Sequence, residues 1–267
     1  MARDQDLQRR LLRRQLLWQG LVGAGALAAG PAVLRSVAPP APAAGVDLGD
    51  PRLIATVAPP PIVSRAQWGA NEGLRRGRPD FAPINRVIVH HTVTAVEEPD
   101  PAARMRAIYA FHVRGNGWDD IGYNFVVDQA GRVYEGRAGG SGPTGEDAAG
   151  RGVVGAHAGG HNTGSVGVAI LGTFSDDRTT PSDAALDAVA AVGAWKLGTR
   201  GIDPLAPGAL IGHRDVVATG CPGNGCQRRL AEVRERSRGR IAAAGSPDDD
   251  GGGLVEELLE TVGDLLG

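Results

Sequence analysis

The chain reads as stretches of strand-like and helix-like patterning separated by turn residues. Val87-Ile-Val-His-His91 is an apolar run without alternation, suited to a strand buried within a sheet. Asp100-Pro101, followed by Met105, Ile108, Tyr109 and His112 at helical spacing, predicts a helix capped by Asp100 with one apolar face. Tyr123 to Asp128, the turn Gln129-Ala-Gly131 and Arg132 to Glu135 predict a hairpin. Residues 138–152 are Gly-rich and aperiodic, which predicts a loop. Ser165 to Leu171 reads as a second buried strand, and Ser182 as the cap of a helix whose inner face is Leu186, Val189, Gly193 and Leu197. A last helix is expected from about Arg228 to Ala243. Strands interleaved with helices give an α/β class: a single domain over residues 62–244, with no internal repeat, built on a central mixed β-sheet flanked by helices.

The two ends differ from this body. Residues 1–44 combine a basic start (Arg9, Arg10, Arg13, Arg14), an apolar run from Leu16 to Leu34 and a small-residue stretch, APPAPAAG, the layout of an export signal. Arg13-Arg14 followed by Gln-Leu-Leu resembles a twin-arginine signal, although Phe is the usual third residue there. The signal is expected to be removed, leaving a secreted, periplasmic or cell-wall protein with no stable membrane insertion. An ordinary secretory signal or an uncleaved anchor are the alternatives, and the glycines of the apolar run weaken the anchor. A Pro-rich linker fills 45–61. An acidic Gly-rich linker, 245–253, leads to residues 254–267, where Leu254, Val255, Leu258, Leu259, Val262, Leu265 and Leu266 recur at helical spacing opposite acidic residues. That pattern predicts a short amphipathic acidic helix.

Composition narrows the class. With 42% hydrophobic and 22% charged residues, fibrous and wholly disordered chains are excluded, while aromatics at 4% require a core of Val, Leu, Ile and Ala. The net charge of −2 conceals basic and acidic ends around a near-neutral body, which offers nucleic acid no electrostatic footprint.

All six histidines, His90, His91, His112, His157, His161 and His213, fall in the body, and Cys221 lies just after His213. Imidazole and thiolate are zinc ligands, and three of them form an open catalytic site. If 87–91 is a strand, His90 and His91 point to opposite faces, so only one of them serves a given site, and the residues alone leave open which. A Cys221–Cys226 disulfide is the competing use of the thiol in an exported protein.

Six segments settle more than any one of them. IVSRAQWGA (62–70), VIVHHT (87–92), GWDDIGYNFVV (117–127), GRVYEGR (131–137), GAHAGGHNTGSVGVAILG (155–172) and GHRDVVATGCPG (212–223) together resemble, in order, the peptidoglycan recognition protein and type-2 N-acetylmuramoyl-L-alanine amidase family. The resemblance implies that family's fold and one zinc ion held by His90, His213 and Cys221. It places Tyr123 and Thr219 beside the metal, where a phenol and a hydroxyl can donate to a developing oxyanion. It implies cleavage between the lactyl carbonyl of N-acetylmuramic acid and L-alanine, with peptidoglycan or a muropeptide as the partner and a monomeric enzyme. His157 is expected to contact substrate from a groove loop, and Asn162 either joins it or orders the turn. Family members that bind without hydrolysis typically lack the cysteine, so Cys221 favours catalysis over a pure recognition module. His91 is expected to face away from the metal and His112 to sit in the core. Trp68 and Trp118 should be core or groove-wall aromatics, Asp119 and Asp120 caps of the turn before the strand, and Glu135 as readily a buried ion-pair partner as a base.

Overall fold

The computed structural model describes residues 57–140 and 142–245. The expected export signal, the C-terminal helix, and residues 45–56 and 246–253 of the two linkers lie outside the described residues. The described residues form eight strands: β1 Ile62–Val63, β2 Phe81–Ala82, β3 Arg86–His91, β4 Phe125–Val127, β5 Val133–Glu135, β6 Gly152–Val153, β7 Ser165–Ile170 and β8 Leu210–Gly212. Six form one sheet in the order β1-β5-β4-β7-β3-β8, parallel at every junction except the β4–β5 hairpin. β2 and β6 form a separate antiparallel pair.

The helices are α1 Pro101–Ala110, continued by a wider turn over Phe111–Gly115, α2 Asp183–Gly198, the single turn α3 Asn224–Gln227, and α4 Leu230–Gly245. Both predicted caps are made. The Asp100 carboxylate accepts from the Ala103 N–H at 2.9 Å, and the Ser182 hydroxyl from the Ala185 N–H at 3.0 Å. The last helix begins two residues later than the pattern predicts, because Asn224–Gln227 forms its own turn first. It also takes in Gly245, the first residue of the predicted linker.

Strand alternation divides the core in two. Val87, Val89, Val127, Val166 and Val168 pack on α2 and α4, while Val126, Tyr134 and Ala169 on the opposite face meet Met105, Ile108 and Tyr109 of α1. α2 is buried around most of its circumference, since the sheet covers one side and α4 the other. Gly193 permits that second contact: a Cβ there would come within 2.9 Å of both Leu210 and Ser237. His90 of β3 lies on the α1 side of the sheet.

No helix among the described residues is long and apolar enough to cross a membrane.

Candidate metal centre

His90 stands on β3, paired with Ala169 of β7 and one residue beyond the β8 pairing that ends at Val89↔Gly212, so its position is fixed by the sheet. It points to the α1 side and is 1% exposed. His91 points to the other face, where its Nδ1 accepts from the Phe174 N–H at 3.2 Å. The strand thus makes the choice between the two that sequence alone left open.

His213 follows β8 directly and opens a tight turn, His213–Asp215. Its neighbours build the support. The Asp215 carboxylate accepts from the Gly212 N–H at 2.8 Å and from Gln227 Nε2. The Arg214 N–H donates to the Cys221 carbonyl at 2.9 Å, while the Arg214 guanidinium holds Asn224 Oδ1 at 2.8 Å and the Gly220 carbonyl. Arg214 and Asp215 therefore clamp the loop that carries Cys221 against the turn that carries His213.

The three predicted ligands converge: His90, His213 and Cys221 each offer a ligand atom within 4.8 Å of the others. His90 Nδ1 lies 3.6 Å from Cys221 Sγ. Tetrahedral zinc, with bonds of about 2.3 Å to sulfur and about 2.05 Å to nitrogen, sets those two atoms ~3.6 Å apart. His213 Nε2 is buried with no hydrogen-bond partner among the described residues. Burial drives the His90 and His213 pKa values down, His213 to about 4, so both rings are neutral, the form that binds metal. The Cys221 thiol, pushed up to about 12 by burial, requires a nearby cation to become a thiolate. Two imidazoles and one thiol, three in number, fit an open zinc site.

Neither cysteine is in a disulfide. Cys226 is buried among the residues packed under α2 and α4 and has no part in the centre.

The other predicted site residues fall around this triad. The rings of Tyr123, His157 and His213 have their centroids 5.4, 4.9 and 4.4 Å from that of His90. Burial, and then the Cys221 charge, raise the Tyr123 pKa, so the phenol keeps its proton at neutral pH. Thr219 is exposed, and its hydroxyl oxygen accepts from the Cys221 N–H at 3.3 Å, leaving the hydroxyl proton free to be donated. Asn162 orders its turn: Oδ1 accepts from the His157 and Ala158 N–H groups, both at 2.8 Å. No hydrogen bond from its Nδ2 occurs among the described residues. His157 is turned inward, with Nδ1 3.0 Å from His90 Nε2.

Residues read as structural behave so, with one change of detail. His112 is buried and its Nδ1 accepts from the Gly122 N–H at 3.0 Å. Trp68 is fully buried and donates to the Glu135 carbonyl at 2.8 Å, and Trp118 lies against the His112 ring. Glu135 accepts from the Arg65 N–H at 2.8 Å. Asp120 does cap locally, accepting from the Ile121 N–H, but it is also the buried ion-pair partner of Arg65 and accepts from the Ala138 N–H. Asp119 carries no such pairing in the cap: its carbonyl accepts from the Arg76 N–H at 2.8 Å.

The sequence reading gave no role to Arg214, Asp215 or Ser165. The signal for the first two was present in GHRD, next to a predicted ligand, but their partners lie across a turn that spacing does not reveal.

Residues 80–224 match the family model described as N-acetylmuramoyl-L-alanine amidase (Amidase_2). A peptidoglycan-recognition protein 1 from Holotrichia diomphalia is 37% identical over 177 residues, covering 64% of this chain and 79% of that protein. An N-acetylmuramoyl-L-alanine amidase from Sus scrofa is 38% identical over 170 residues, 62% of this chain; the match spans only 26% of the pig protein. Among solved structures, peptidoglycan recognition protein LE in complex with tracheal cytotoxin, a monomeric diaminopimelic acid-type peptidoglycan, is similar at a TM-score of 0.53 and 27% identity, covering 64% of this chain and 92% of that one. With its mixed sheet, its flanking helices and its His-His-Cys cluster in the matched region, the chain belongs to the N-acetylmuramoyl-L-alanine amidase (Amidase_2) family, which shares its fold with the peptidoglycan recognition proteins.

Proposed function

We propose that this chain is a zinc-dependent N-acetylmuramoyl-L-alanine amidase, hydrolysing the amide between the lactyl carbonyl of N-acetylmuramic acid and L-alanine of the stem peptide. The observation that carries the reading is the convergence of His90, His213 and Cys221 within 4.8 Å beside Tyr123. When bound, zinc supplies a Lewis acid that polarises an amide carbonyl and acidifies water.

The chain's own residues do the rest. His90 and His213 present neutral imidazoles, and Cys221 the one anionic ligand, so the loaded centre keeps a net positive charge facing the groove. Tyr123, protonated across the neutral range, donates a hydrogen bond to the carbonyl oxygen as negative charge grows on it. Thr219 adds a second donor, its oxygen already fixed by the Cys221 N–H. In this reading the loop 155–164 borders the substrate, and the Asn162 amide nitrogen, whose oxygen is held by the His157 and Ala158 N–H groups, donates to a glycan or peptide oxygen. Residues 1–44 act as a twin-arginine-type export signal, which brings the enzyme to its substrate outside the inner membrane, where it works as a monomer.

Relatives bearing the amidase name and a solved neighbour holding a muropeptide support both the bond and the ligand class. The test is hydrolysis of purified peptidoglycan, reading new L-alanine amino termini by mass spectrometry, with and without a chelator and then with zinc restored. Chelator-sensitive, zinc-restored release of intact stem peptides is expected. Binding to the sacculus with no release at any zinc level would instead establish a recognition module.

A further inference from the structure

Both ring nitrogens of His157 are engaged inside the protein, which a side chain reserved for substrate does not require. Nδ1 faces His90 Nε2 at 3.0 Å, and Nε2 faces Ser165 Oγ at 3.4 Å. Ser165 Oγ in turn lies 2.6 Å from the His161 carbonyl and 3.0 Å from that of Asn162. Every residue in the series is held. Ser165 is the first residue of β7, His90 sits in β3, and the His157 and Ala158 N–H groups are pinned by Asn162.

The direction of each bond follows from one end. A main-chain carbonyl can only accept, so the single Ser165 hydroxyl proton goes to His161 O. The serine oxygen is then left to accept from His157, which puts the His157 proton on Nε2. His157 Nδ1 is therefore the acceptor, and His90 must carry its proton on Nε2. The remaining atom, His90 Nδ1, is a bare lone pair, and it is the one 3.6 Å from Cys221 Sγ. A metal-binding histidine needs its other nitrogen engaged in this sense, which fixes both tautomer and ring orientation.

We propose that His157 and Ser165 form a hydrogen-bond relay, anchored on the His161 carbonyl, that presents His90 Nδ1 as a pre-oriented lone pair to the metal; His157 is a positioning residue for the ligand. The inference rests on the zinc reading above and assigns these two side chains a part in it. It also accounts for Gly167. A Cβ at that position would come within 2.4 Å of the His157 ring, so the relay lies directly on the bare backbone of β7.

The test is the zinc affinity of the full chain, measured by competition with a chromogenic chelator, with apo-protein thermal unfolding recorded for each variant. His157→Leu, which removes the acceptor, is expected to weaken zinc binding by about 10- to 100-fold. His157→Asn, whose Oδ1 can take the place of Nδ1, should recover most of that loss. Ser165→Ala should weaken binding by a smaller factor, about 3- to 10-fold, and it carries the test should His157→Leu not fold. Equal zinc affinity in wild type and in the folded variants, with peptidoglycan binding alone reduced, would overturn the relay and return His157 to substrate contact. If wild type itself binds no zinc in a Cys221-dependent way, the function reading falls and the relay with it.

Discussion

Two buried polar clusters lie on opposite faces of the main sheet, and they are built on opposite principles. On the α2 face, Lys196 is 1% exposed, yet its ammonium group is fully engaged: it pairs with Glu146, donates to the Thr144 carbonyl at 2.7 Å and lies 3.4 Å from the Trp195 ring centroid. Arg200 completes the cluster, 3.0 Å from the other oxygen of Glu146. On the α1 face, His90, His213 and Cys221 are neutral groups turned toward one another, and His213 Nε2 is buried with no hydrogen-bond partner among the described residues. A cluster that serves the fold satisfies its charges and donors from within the chain, since an unpaired buried charge is strongly destabilising. The triad instead turns ligand atoms toward one another without a charge partner of its own among the described residues. Burial by itself therefore does not separate a structural polar cluster from a functional one; what separates them is whether the protein closes the coordination.

The largest way to sharpen the contrast is Cys221→Ser. Hydrolysis of peptidoglycan is expected to fall by about 10³-fold or more, because zinc loses its thiolate and its affinity. The melting temperature of the metal-free protein should move by no more than about 2 °C, since the thiol is neutral there and makes only long contacts. Chelator-treated wild type and variant, compared by calorimetry, check the second half.

On the other face the effects should exchange places. Lys196→Met takes the buried ammonium group from Glu146, which keeps its ion pair with Arg200, and is expected to cost about 1–3 kcal/mol in urea unfolding, with zinc-dependent activity per folded molecule unchanged. Replacing both partners, Glu146→Leu with Lys196→Met, should restore much of the loss. A double variant as unstable as the single one would mean that Glu146 matters chiefly for shaping residues 140–152, where its backbone bridges Gly140 and Gly152.

Gly167→Ala probes the boundary between these behaviours. The added methyl group meets the His157 ring at 2.4 Å and must displace it, while the β7 backbone can keep its strand geometry. Zinc affinity is expected to fall about tenfold, with stability reduced by about 1–2 kcal/mol. Titration with zinc and urea unfolding of the same samples separate the two effects.

The two clusters also differ in how far the sequence reveals them. The strands β3 and β7 and the hairpin declare themselves through long apolar runs and a Gly turn, and α1 and α2 through their caps. β1, β2, β6 and β8 are two or three residues long, too short to establish a period, and β8 is the strand that delivers His213. The His-His-Cys cluster was legible through the co-linear motifs, because VIVHHT, GHRD and TGCPG keep His90, His213 and Cys221 together with their flanks. The Lys196–Glu146 pair was not, as its partners are 50 residues apart and one lies in a loop read as aperiodic. A lysine within the apolar helix pattern after Trp195 was the available sign. The inward turn of His157 was invisible for a similar reason: it depends on Gly167 across the sheet, not on spacing within its own loop.

The smallest expected effect concerns His112, which borders the site without belonging to it. Its pKa is lowered to about 3, first by burial and then by the Arg137 charge, and its Nδ1 must stay unprotonated to accept from the Gly122 N–H. The rings of Trp118 and Tyr123 lie against it. An unfolded histidine titrates near 6.5, so between that pH and about 3 the unfolded chain binds a proton that the folded chain excludes. Acid in this window therefore favours unfolding, and the contribution is fully present above pH 6.5 and lost progressively below it. His112→Asn keeps an acceptor for Gly122 but cannot take up the proton. At pH 7 the variant should be less stable by about 1 kcal/mol, for the smaller side chain and altered packing. As the pH falls toward 4 that gap should close and then reverse, because the dependence of unfolding free energy on pH drops by up to one proton, ~1.4 kcal/mol per pH unit. Parallel pH dependences for the two proteins in urea unfolding would show that His112 titrates normally, and that the aromatic wall beside Tyr123 admits a charged imidazole.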